Sequence, residues 1–88
     1  MKTVTLNFYS TPSHGYLQVH KNLVNEIAVE ATNSPYSFYN AKTGLFYFEE
    51  DCDASEVVTA LRNLGYEINY AENHYDEYEI IKTYKRLG

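Results

Sequence analysis

The sequence predicts an α+β fold: a small two-layer sandwich in which an antiparallel sheet of four to six strands carries two short helices, in the order ββαββαβ. Three observations predict it. Apolar and polar residues alternate at the start of the chain. Two aromatic runs flank a loop that contains glycine. An amphipathic segment with end signals at both termini follows them.

In the first strand Val4, Leu6 and Phe8 alternate with Thr3, Thr5 and Asn7, the period of two that marks a half-buried strand. Pro12 and Gly15 punctuate a turn, and residues 16–19 resume as a second strand antiparallel to the first. Leu23, Val24, Ile27, Ala28 and Ala31 fall at helical spacing, which predicts a helix over 21–31 with Asn22 as its cap. Pro35 disfavours helix at Ser34 and ends it. Residues 36–39 and 45–48 read as two aromatic strands joined by a hairpin loop, where Gly44 supplies positive φ. Aromatics on both faces of that pair predict either cover on two sides or one face left open for a partner.

The second helix carries the fullest set of end signals. Asp53 stands as N-cap with Glu56 completing a capping box, and Cys52 and Val57 sit at the staple positions, with Cys52 buried. Val57, Val58, Leu61 and Leu64 form the apolar stripe, and Gly65 ends the helix in the left-handed region. Tyr66, Ile68 and Tyr70 then alternate as a fifth strand. Residues 74–79 read as loop, and residues 80–84 as a short terminal strand.

The 88 residues make one domain, 1–88, with 16% aromatics including ten Tyr, too rich for disorder. The net charge is −5, and residues 49–79 hold ten of the twelve acids with Arg62 as their one base. That balance disfavours direct nucleic-acid binding and suits a partner with a basic groove. A single cysteine excludes an internal disulfide and fits a reducing compartment. The start of the chain runs straight into strand-like alternation without an apolar signal segment, and no apolar run is long enough to span a bilayer. A cytoplasmic protein without membrane association is expected.

Candidate chemistry centres on Glu49-Glu50-Asp51-Cys52-Asp53. Asp51, Asp53 and Ser55 match the first ligand positions of an EF-hand loop, but Glu56 stands where Gly is needed and Arg62 where the bidentate Glu is needed. A looser Mg²⁺ site would use Glu49, Asp51 and Asp53. Cys52 with His14 or His74 could form a nucleophilic pair, but the surrounding acids disfavour the thiolate. The three histidines lack zinc spacing, and neither a phosphate loop nor a serine elbow occurs. Helix capping accounts for Asp53 and Glu56, which leaves Glu49 and Glu50 unexplained. No catalytic residue, metal ligand or cofactor is therefore assigned. The expected partner-binding residues are Glu49, Glu50, Asp51, Tyr75, Asp76, Glu77 and Tyr78, because tyrosine and carboxylate together make a protein-binding surface.

The blocks Ser13-His14-Gly15-Tyr16-Leu17-Gln18-Val19, Ser34-Pro35-Tyr36-Ser37 and Phe48-Glu49-Glu50-Asp51-Cys52-Asp53-Ala54 resemble a family of small uncharacterised proteins of tailed bacteriophages and prophages. The resemblance spans residues 3–84 through these short blocks. It departs from the family pattern at His20, where relatives tend to carry Pro, so it does not fix the start of the first helix. The resemblance implies phage origin and a place in the host cytoplasm, and it brings no catalytic residue. The expected function is a non-enzymatic protein that binds a host or bacterial defence protein, such as an anti-CRISPR or anti-restriction inhibitor. The alternatives are a metal-dependent or thiol enzyme centred on Asp51-Cys52-Asp53, or a structural, virion-associated accessory protein.

Overall fold

The computed structural model describes residues 2–11, 14–74, 81 and 84–88, with His74 described through its backbone. Among the described residues six strands form one sheet: β1 (Lys2–Ser10), β2 (Gly15–His20), β3 (Phe38–Asn40), β4 (Leu45–Glu49), β5 (Tyr66–His74) and β6 (Lys85–Arg86). Their order across the sheet is β5-β1-β2-β4-β3-β6. Among the described residues two α-helices accompany them, α1 (Lys21–Val24) and α2 (Ser55–Asn63). The radius of gyration, 12.1 Å, is that of one folded unit of this length, about 12 Å. Of the expected terminal strand over 80–84, residues 80, 82 and 83 lie outside the described residues, and the paired stretch is Lys85–Arg86.

The α+β class stands, but the sheet is mixed. β1 and β5 run parallel over nine pairs, from Lys2↔Tyr66 to Ser10↔His74, and the remaining pairs are antiparallel. The connection explains the difference. A hairpin reverses the chain, whereas a helical crossover returns it to its starting end. α2 carries the chain from β4 past β2 and β1, and β5 arrives running with β1.

The inward positions of the alternating strands meet α2. Leu6, Leu17, Val19, Phe48 and Ile68 pack with Val57, Val58 and Leu61 in the main core. Phe48, Leu17, Leu61, Val19 and Val57 are fully buried. The apolar stripe of α2 stops at Leu61, since Leu64 is 47% exposed. Gly65 ends the helix at φ 93° and Gly44 turns the β3–β4 loop at φ 73°, as their positions in the sequence predict. On the opposite face Tyr16, Phe38 and Tyr47 form a second cluster with Ile81, Tyr9 and Tyr84. The aromatic hairpin is thus covered on both sides. Burial pushes the Tyr47 phenol up, and Tyr84 and Tyr9 add to the shift, against the opposing effect of its hydrogen bond with Gln18.

The expected helix over 21–31 is a single turn. Its cap is His20, whose Nδ1 accepts from the Asn22 N–H at 3.1 Å, and Asn22 is not the cap. The chain leaves helix at Asn25, and Val29 is extended at φ −135°. A short 3₁₀ turn over Glu30–Asn33 follows. A long-range contact selects that break: the Glu56 carboxylate accepts from the N–H groups of Glu30 (3.1 Å) and Ala31 (2.9 Å). Those two groups begin a new turn instead of continuing the old one.

Candidate functional site

The acidic segment is the joint between β4 and α2, and it is wound as a π-helical turn over Glu50–Ala54. Its cap is Glu49. One carboxylate oxygen of Glu49 accepts from the backbone N–H of Asp51 and, at 3.1 Å, from that of Cys52. Its other oxygen lies 3.7 Å from His14 Nδ1. Glu49 is 6% exposed. The residue that helix capping had left over therefore does the capping, and Asp53 does not cap.

Asp53, also 6% exposed, turns inward and accepts from the Ser37 hydroxyl. Ser37 is fully buried. Its Oγ also accepts from the Glu49 N–H at 3.0 Å, and its carbonyl accepts from the Leu87 N–H at 2.9 Å. One hydroxyl thus joins the segment leading into β3 to β4 and to the turn ahead of α2, and the same residue's backbone accepts from Leu87 near the end of the chain. Neither composition nor spacing marks Ser37: the expected strand over 36–39 begins only at Phe38, so Ser37 lies just ahead of β3, and its partners are remote in sequence.

Cys52 is exposed and not an inward staple. An N-terminal π turn shifts the phase of the residues ahead of α2, so the staple spacing of an α-helix does not hold there. Partial desolvation and the carboxylates of Glu49, Asp53 and Asp51 push its thiol up. His14 contacts Glu49. Glu49 and Asp53 are each spent on separate donors, and among the described residues no group of three or more His, Cys, Asp or Glu side chains is arranged to hold a metal ion. Among the described residues no helix is long and apolar enough to cross a membrane.

No family model, curated relative or solved structure matches the chain.

Of the expected partner-binding residues, Glu50 and Asp51 are exposed and Glu49 is buried. Tyr75, Asp76, Glu77 and Tyr78 lie outside the described residues. Glu50 instead meets residues that composition did not single out. It lines a shallow cavity of about 370 Å³ with Phe8, Tyr70 and Glu72. Gly15 makes this approach possible: a Cβ there would stand 2.6 Å from the Phe8 ring and 3.2 Å from the Glu50 carboxyl carbon. Tyr70 is 46% exposed. Two carboxylates beside two aromatic rings favour a cationic group, through charge and through the ring faces. The sequence signal available was the position of Glu72, two residues after Tyr70 on a strand and so on the same face.

Proposed function

We propose that the chain is a small acidic, phage-encoded protein that acts by binding a host or bacterial defence protein, without catalysis of its own, and so inhibits it. The observation that carries this reading is the grouping of Glu50, Glu72, Tyr70 and Phe8 around one cavity. Such a surface recognises Lys or Arg side chains on a basic protein face. The resemblance to small phage proteins supplies the setting, the host cytoplasm. The raised Cys52 thiol argues against a thiol nucleophile.

Affinity capture from infected cells, followed by reconstitution with the purified partner, tests the proposal. Glu50→Lys with Glu72→Lys should abolish capture, while Glu30→Lys, an exposed acid elsewhere, should retain it. Equal capture by all three proteins would defeat the reading.

A further inference from the structure

We propose that the outer edge of β5 docks an extended, basic segment of a partner protein, which joins the sheet as an added strand. The inference rests on the binding role above and names how the partner is held.

β5 stands at the end of the sheet. All nine of its residues pair with β1 on one side, and among the described residues no strand pairs on the other. A strand presents hydrogen-bonding groups on both sides, so a full-length edge of N–H and C=O groups faces outward. The sheet's other end differs. There β6 is two residues long, Lys85–Arg86, and offers little ladder.

Shallow cavities of about 340, 320 and 370 Å³ follow β5 in strand order, the first two also lined by α2. The first is at Tyr66–Ile68 and shares Arg62 with the second. The second shares Phe8 and Tyr70 with the third, at Glu72. An added strand would turn alternate side chains toward this row of hollows, roughly 7 Å apart. Recognition would then divide: the main chain gives affinity and the alternate side chains give selectivity.

Charge selects the occupant. Glu67 and Glu72 are exposed on β5, exposed Glu50 lines the third cavity, and Arg62 is the one cation among the residues lining these cavities. A second copy paired through its own β5 would bring Glu67 and Glu72 against a like-charged edge, which is unfavourable. A second copy paired through β6 has the right charge but only two residues to offer. A basic strand from a different protein meets both requirements.

Amide hydrogen exchange by NMR on the full chain tests the proposal. The probe is a capped synthetic peptide of alternating Lys and Val, compared with its alternately N-methylated form and with a Glu-Val counterpart. Bound Lys-Val peptide should slow exchange at alternate amides within residues 66–74 by at least about tenfold, and N-methylation should weaken binding by at least about tenfold. Lys-Val binding that leaves those amides at their free rate would overturn edge docking, and so would failure to bind at about 1 mM. Protection that grows with protein concentration alone would also overturn it, by assigning the edge to a second copy. In each of these cases a capture that still depends on Glu50 and Glu72 keeps the binding role, so the two readings fail separately.

Discussion

Glu49 and Asp53 lie on the inner side of the joint between β4 and α2, while Glu50 and Asp51 lie on its outer side. The four carboxylates are close neighbours in sequence and share one chemistry, yet they have different work. The inner two are buried and bound to specific donors, the backbone of the turn for Glu49 and Ser37 for Asp53. A buried carboxylate without donors is costly, so these contacts are conditions of the fold. The outer two face solvent, and Glu50 reaches the Phe8–Tyr70 cavity. An acidic run can therefore serve stability and recognition together, divided by which way each residue faces.

The comparison breaks most sharply at Ser37. Ser37→Ala should cost about 3 kcal/mol in urea unfolding, because it removes a donor to a buried carboxylate and an acceptor for the Glu49 N–H. A loss below about 0.5 kcal/mol would mean that Asp53 is satisfied without it. Glu56→Ala comes next, at about 1 kcal/mol, since it leaves the first N–H groups of the 3₁₀ turn to water. Its amide-exchange signature should appear at residues 30 and 31, far from residue 56 in sequence. Asp51→Asn should change stability by less than about 0.5 kcal/mol.

Cys52 sits between the inner and outer carboxylates and reports on both. Its folded pKa is raised, so the neutral thiol is favoured in the native state. Alkylation of the native protein near neutral pH should run slower than alkylation of the urea-unfolded chain. The gap should close as pH rises through the folded value. Asp51→Asn should speed native labelling, because it removes one of the charges that disfavour the thiolate. Native labelling that is faster than unfolded labelling would contradict the electrostatics of the joint.

Much of the fold was legible because its signals are local. Period-two alternation located β1 and β5, the Pro12–Gly15 turn located β2, and the two left-handed glycines fell where a loop and a helix end required them. The parallel partnership of β1 and β5 was not legible, since it joins residues 64 apart in sequence and depends on where the crossover lands. The first helix was read too long because its spacing ignores Glu56, which captures residues 30 and 31 from across the chain. The joint was legible as a place but not in its parts. An α-helical phase counted from Asp53 assigns the cap to Asp53, whereas the π turn moves the start back and gives the cap to Glu49. Local preference favours Asp53, since Asp is a common N-cap and Glu is not, and it is overridden because buried Ser37 engages the Asp53 carboxylate while Glu49 accepts from the turn. The grouping of Glu50 with Phe8, Tyr70 and Glu72 likewise depends on tertiary structure, with Gly15 the one local sign of close approach.

The division between inner and outer carboxylates is tested most directly by unfolding free energies of Glu49→Ala and Glu50→Ala, measured side by side in urea. Glu49→Ala should lose about 1–2 kcal/mol, the worth of a charged cap, and Glu50→Ala less than about 0.5 kcal/mol. Equal losses, or a larger loss at Glu50, would contradict the account.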